Sequence, residues 1–428
     1  MTLFDIIAVL MTLAAVLGYL NHRWLKLEPS VGLLMISLVS SLGIMGLHWL
    51  FPGLEIVNSL QAWVAEIDFN EALMHGMLGF LLFAGALHVD LEYFIKRKGT
   101  IASLATIGLL ISTFLVAYLS WLVFGLLGLD VSFLVCLVFG SLISPTDPIA
   151  VMGTLKTLNA PKELEANIAG ESLFNDGVAV VVFTGLVAML VAKTGVGAGG
   201  HEVAVAGGHG GEIGAWDLAV LFVREAGGGG ALGLVFGYAA YRLMLSIDDY
   251  KVEVMLTLAL VMGSYSLAWA IHVSGPIAVV VAGLLIGNRG RAFAMSAEVV
   301  DYLEKFWELI DEILNAMLFM LIGVEVLMVA FSGKGLLAGL IVIVIVLLSR
   351  FISVWLPISV IGLRTQFPRG VVRILTWAGL RGGISVALAL SMPPIPEKNL
   401  ILTCTYLVVL FSIVVQGLTI KKVLRRYM

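Results

Sequence analysis

Thirteen apolar stretches of this chain are candidate membrane crossings, at about 20 helical residues per crossing, and this sets the solvent for most of the sequence. They run at about 3–20, 31–51, 72–90, 100–128, 131–155, 166–192, 217–243, 252–272, 275–288, 306–331, 335–362, 371–392 and 399–420. The ninth is short. The fourth and seventh are long enough to tilt, break or carry an interfacial extension. Of the 428 residues 60% are hydrophobic and 13% charged, against about 25% charged in an ordinary globular domain. Backbone in hydrocarbon must satisfy its own hydrogen bonds, which leaves helices and closed barrels. The pattern therefore predicts an all-α polytopic membrane protein.

Basic residues report how it sits. With thirteen spans, eighteen Lys and Arg fall in loops on one side, from Arg23 and Lys26 through Lys96, Arg97 and Lys98 to Arg364, Arg369, Arg425 and Arg426. Three (Lys193, Lys334 and Lys398) fall on the other. The positive-inside rule then predicts an N-terminus outside and a cytoplasmic C-terminus in the plasma (inner) membrane. The opening "MTLFDIIAVLMTLAAVLGYLNHRWLK" has its positive charges after the apolar run, unlike a cleavable signal. Cys136 and Cys404 both lie inside spans and suggest neither a disulfide framework nor a metal site. The net charge of −4 gives no reason to expect nucleic acid as a partner.

One long polar stretch interrupts the pattern. Ala192 to Trp216 is glycine-rich and reads as a flexible outward loop, whose His201 and His209 make a weak metal pair. It leaves six spans before it and seven after. With the seventh taken as a linker, the halves are six and six, as in the repeated halves of secondary transporters. The expected organisation is one membrane domain: a first half at about 1–192, the loop at about 193–215, a linker helix at about 217–243 and a second half at about 252–422. No soluble regulatory domain is expected.

Charges deep in a span cost about 2.5–3.5 kcal/mol each on insertion scales and usually face a cavity or a partner. In span five, "SLISPTDPIAV" places Pro145 and Pro148 around Asp147. Each proline lacks an amide hydrogen and disfavours helix at the residue before it. The helix should open there, freeing carbonyls that, with Asp147, suit a small cation; Asp147 can also cap the half-helix that follows. Span six opens "AGESLFNDGVAVVVF", with Glu171, Ser172, Asn175 and Asp176 on one face at 100° per residue. Glu171 and Asn175, and Ser172 and Asp176, are spaced to meet. Asp176 lies near mid-depth. Arg350, mid-span in "IVIVIVLLSRFISVWLPISV", requires a carboxylate. Arg381 stands among Gly379, Gly382 and Gly383, where a second helix can break, and would balance carbonyl ends there. Asp311 and Glu312 belong at or one turn inside the start of span ten, while His88, Glu253, His272 and Glu325 read as span-end residues in interfacial solvent. His75 reads as a helix-surface residue. None of these is expected in the chemistry.

"SPTDPIAV", "GESLFNDGVAVVVF" and "GLRGGISVALAL", in that order, resemble the monovalent cation/proton antiporters of the NhaP and sodium/proton exchanger branch. The resemblance covers essentially the whole membrane chain. It implies thirteen helices in two inverted six-helix repeats with crossed discontinuous helices, and a homodimer. It further implies that Asp176 carries the exchanged ion or proton. Asp147, Ser172 and the Thr146 carbonyl would complete the Na⁺ shell, and Glu171 would pair with Arg350, with Asn175 near that link. The Asn-Asp pair implies electroneutral exchange of one cation for one proton. Some relatives have an acid in the third span; "LFAGAL" has Ala84, which puts in question any step depending on that acid.

Burial disfavours a charged carboxylate and a nearby cation favours it, so proton and Na⁺ or Li⁺ would compete for one site and exchange without any cofactor. Rivals on the same scaffold are a K⁺/H⁺ or electrogenic antiporter. A gated cation channel is a rival of another class, separated by the absence of proton coupling. An intramembrane enzyme is disfavoured, because Ser141, Ser144, Ser172 and Ser385 have no evident mid-span histidine partner.

Overall fold

A computed structural model describes residues 3–51, 69, 72–158, 160–195, 215–329, 332–363, 367 and 370–427. His201, His209, most of the glycine-rich loop, Arg364, Arg369 and the side chain of His75 lie outside what is described. The apolar runs form helices. They are α1 (Leu3–Leu20), α2 (Pro29–Leu50), α3 (Ala72–Leu87), α4 (Leu91–Leu126), α5 (Phe133–Ile143) and α6 (Ile149–Thr157). Next come α7 (Lys162–Thr194), α8 (Ala215–Met244), α9 (Tyr250–Ala270), α10 (Gly275–Phe293) and α11 (Ala297–Glu325). Last are α12 (Gly333–Gly362), α13 (Val371–Ala378), α14 (Gly383–Leu390) and α15 (Lys398–Tyr427). Among the described residues eight helices are long and apolar enough to cross a membrane, which makes this a multi-pass membrane protein.

Short polar side chains begin these helices. Asp90, Ser132, Asp249, Ser274, Ser296 and Ser332 each accept a hydrogen bond from an amide of the first turn, supplying one of the acceptors that helix starts lack. Caps also explain two boundaries that hydropathy misplaces. α4 starts at Leu91 and not near 100, because Asp90 caps an amphipathic turn containing Glu92 and Lys96. α11 starts at Ala297 and not near 306, with its early charges on an exposed face where Lys305 pairs with Asp301. Asp311 and Glu312 consequently lie well inside that helix.

Spans five and twelve are each broken into half-helices, α5/α6 and α13/α14, and the two breaks meet in an isolated antiparallel bridge between Asp147 and Leu380. α7 lies beside the crossing. It packs against α4, α5, α8, α10 and α3. α12 packs on α4 and α15, closing the other flank of the breaks.

The span-end reading of Glu253 and Glu325 is corrected by their burial: they are 0% and 8% exposed. Glu253 lies in the first turn of α9, which packs against α8, α10 and α11. Both Glu253 carboxylate oxygens are buried without a hydrogen-bond partner among the described residues. One turn further on, Thr257 Oγ1 accepts from Trp307 Nε1 at 3.0 Å, joining α9 to α11. The two positions should respond oppositely to apolar replacement. Thr257→Val leaves the indole N–H unsatisfied and should cost about 1–3 kcal/mol. Glu253→Met removes an unpartnered buried acid and should raise the melting temperature. Thermal unfolding of the detergent-solubilised protein reads both.

Candidate functional site

Two interrupted helices leave backbone groups without helical partners, and the site is built where these are satisfied. Arg381 enters the break of the first pair. Its Nη1 donates to the carbonyls of Ser144 and of Pro145, the latter at 2.8 Å. The Arg381 amide donates to Ser412 Oγ at 2.8 Å, and Ser412 donates to Gln416 Oε1 at 2.8 Å. Gln416 Nε2 reaches the carbonyl of Trp377 at 3.3 Å, near the end of α13. Ser412 and Gln416 lie on a locally widened turn of α15, Ser412–Gly417, a distortion frequent at functional sites. The Asp147 amide donates to Leu380 O at 2.8 Å, so one break supplies the donor and the other the acceptor.

Glycine is required where these segments cross. A Cβ on Gly382 would strike the Asp147 carboxylate, and one on Gly379 would strike the Arg350 guanidinium. Asp147 Oδ1 accepts from the Ile149 amide at 3.0 Å and so caps α6. Its second oxygen faces the Gly382 backbone.

α7 supplies the other wall. Arg350 Nη1 of α12 donates to Glu171 Oε1, and its Nη2 donates to Leu375 O at 3.1 Å. Glu171 is 2% exposed and Arg350 6%, so the pair is screened from solvent. Asn175, one helical turn from Glu171, engages Thr146: Nδ2 donates to Thr146 Oγ1 at 2.8 Å and Oδ1 accepts from the Thr146 amide at 3.4 Å. The opened backbone before Asp147 offers an unpaired amide, and the carboxamide can meet both donor and acceptor there. Ser172 Oγ shares a hydrogen bond with Thr146 Oγ1 at 3.0 Å. The structure thus gathers Thr146, Asp147, Ser172 and Asn175, with Asp176 on the same helix face. Asp176 is 7% exposed, and the charged neighbour acting on it is Asp147.

Both the sequence and the fold that carry this arrangement have matches among known proteins. The family described as sodium/hydrogen exchanger, transmembrane, matches residues 11–426. The chain belongs to that family. It is 49% identical over 429 residues to the Na(+)/H(+) antiporter NhaP of Pseudomonas aeruginosa, covering 99% of this chain and 97% of that one. It is 32% identical to the Na(+)/H(+) antiporter NhaH of Halobacillus dabanensis, over 98% of this chain and 97% of the other. Its fold is similar to that of the sodium proton antiporter MjNhaP1 from Methanocaldococcus jannaschii at pH 8, with a TM-score of 0.73 over 99% of this chain and 98% of that one, at 18% identity.

Sequence reading overlooked Ser412, Gln416 and also Ser112, whose hydroxyl lies 2.9 Å from that of Ser144. Ser412 and Gln416 carry a signal in retrospect, as polar residues four apart inside an apolar span. Ala84, where some relatives have an acid, is 1% exposed and packed in the apolar core. The buried ion pair gives a direct prediction. Arg350→Met leaves Glu171 charged and alone, which should cost about 3–5 kcal/mol. Adding Glu171→Gln should recover part of that loss in a double-mutant cycle read by thermal unfolding.

Proposed function

We propose that this protein exchanges Na⁺ or Li⁺ for H⁺ across the membrane, one for one and without net charge movement, as a secondary active transporter with no cofactor. The observation that carries this reading is the charge arrangement around the crossing. Glu171 and Arg350 neutralise one another. Arg381 is committed to the carbonyls of Ser144 and Pro145 and offsets one of the two remaining carboxylates, Asp147 and Asp176. One negative charge is left, and a single Na⁺ or a single proton cancels it. In low dielectric a residual charge costs several kcal/mol, so the loaded forms are those best suited to cross.

Asp176 is the group assigned to carry the proton or cation. Asp147, Ser172 and the Thr146 carbonyl supply further oxygens, the ligand type that a hard cation prefers. Glu171, Asn175, Arg350 and Arg381 hold the frame. The membrane reading is extended in the same way: thirteen spans in two inverted halves, a homodimer, and a plasma-membrane orientation with the N-terminus outside, supported by the distribution of basic residues.

Reconstitution into proteoliposomes tests this. Addition of Na⁺ or Li⁺ should dissipate an imposed pH gradient, and folded Asp176→Asn should lose that response. Retained exchange in the variant would remove Asp176 as carrier and turn attention to Asp147. A K⁺ response exceeding the Na⁺ response would make this a K⁺/H⁺ antiporter, and cation flux without proton movement a channel. The exchange rate should not change when a membrane potential is imposed; a rate that follows the potential would overturn the one-for-one count.

Competition also predicts a pH dependence with a defined sign. A proton on the site excludes the cation, so lowering the pH must raise the apparent KM for Na⁺. Where the protonated form dominates, the rise should be about tenfold per pH unit for one displaced proton. A KM that stays flat through the acid limb, measured with equal pH on both faces, would show that proton and cation do not share a site.

A further inference from the structure

The Asp176 face of α7 continues towards Lys162 through Leu173, Ala169 and Ala166. At 100° per residue these four fall within an arc of about 80°. Beside the Lys162 end lies a cavity of about 500 Å³, lined by Ala166 and Ala169 together with Met152, His88, Asn288 and Asp90. Its rim also carries Lys162 and Arg291. Those cations are held by Glu165 at 2.8 Å and Glu304 at 2.9 Å, so their charge does not close the cavity to a cation.

Ala169 and Asp176 are separated by about 10 Å along the helix, at 1.5 Å rise per residue. Between them on that face stands Leu173, which is 7% exposed. It belongs to the same apolar cluster as Leu82, Phe83, Ala84 and Leu87 of α3. Its Cδ1 lies 3.8 Å from where a Cβ on Gly85 would be. Neither Leu173 nor Gly85 lines the cavity, and along this face of α7 Leu173 stands between Ala169, which does, and Asp176. α3 has no Asp or Glu between Ala72 and Leu87, and so no carboxylate on which an ion could pause.

We propose that Leu173 is the gate of this site: its packing against Gly85 separates the cavity from Asp176, and its displacement admits cation and proton from the cavity side. This rests on the reading of Asp176 as carrier. A leucine suits the task because it excludes hydrated ions by desolvation while making no directional bond that must be broken on opening.

The test is chemical access to Asp176 in the purified full-length protein. A water-soluble carbodiimide with glycine ethyl ester labels accessible carboxylates, and mass spectrometry locates the label. Leu173→Ala should speed labelling of Asp176 several-fold, Na⁺ should protect it, and Leu173→Ile should retain the wild-type rate. Glu171, locked to Arg350 one turn away, is the internal control and should stay unlabelled in every variant. An unchanged Asp176 rate in Leu173→Ala would overturn the gate. Equal acceleration at Glu171 would also overturn it, because it would mean general loosening of α7. Gated labelling in a protein that shows no cation-dependent proton movement would keep the gate and reject antiport, so the two readings fail separately.

Discussion

Every broken helix in hydrocarbon must find partners for the backbone groups it releases, because water is not there to supply them. Here two breaks are placed against each other, and each answers part of the other's need. The amide of Asp147 meets the carbonyl of Leu380. Arg381, from the second break, takes the carbonyls of Ser144 and Pro145 in the first. Arg350 and Gln416 reach the carbonyls of Leu375 and Trp377 at the end of α13. The crossing is thus a shared hydrogen-bond system, in which Arg350 Nε and Arg381 Nη2 are buried without a partner among the described residues, and the rest of the site depends on it.

This closure decides which charges remain available. A guanidinium that donates to backbone carbonyls at a half-helix end sits where the helix dipole is negative, and there it is a structural cation. Arg350 is likewise spent on Glu171 and Leu375. Neither arginine forms a hydrogen bond with the Asp176 carboxylate in the geometry described, which leaves that group available for the carrier role proposed above. Had either guanidinium paired with it, the proposed competition between proton and Na⁺ would be replaced by a permanent salt bridge.

Much of this frame is legible in the sequence, and for a physical reason. Pro145 and Pro148 break a helix whatever surrounds them, and Arg350 in an apolar run demands an acid. Hydropathy likewise outlines the spans. It misplaces the starts of α4 and α11 because caps such as Asp90 and Ser296 operate on amphipathic turns that no apolar window detects. Helical spacing pairs Asn175 with Glu171, but the opened backbone at Thr146 competes for it, and spacing within one helix says nothing about a neighbour. Its place near the end of a span assigns Glu253 to interfacial solvent. Its burial comes from the tertiary packing of neighbouring helices, which one-dimensional depth cannot supply.

The two sides of α7 then differ in the kind of contact they make. Towards the broken helices it is bound by directional interactions: Glu171 with Arg350, Asn175 and Ser172 with Thr146. Towards α3 and α10, beside Asp176, the contacts are aliphatic. Leu173 lies against Gly85, and Ile277 approaches Gly177 so closely that a Cβ there would fall 2.8 Å from its Cγ1. A hydrogen-bonded face loses its bonds when it shifts, whereas an aliphatic face resting on glycine exchanges one set of dispersion contacts for another. A relative shift between α7 with the crossed helices and α3 with α10 therefore breaks none of the hydrogen bonds just named. Asp176 lies along that boundary, where such a movement changes its access without dismantling the crossing that holds the site.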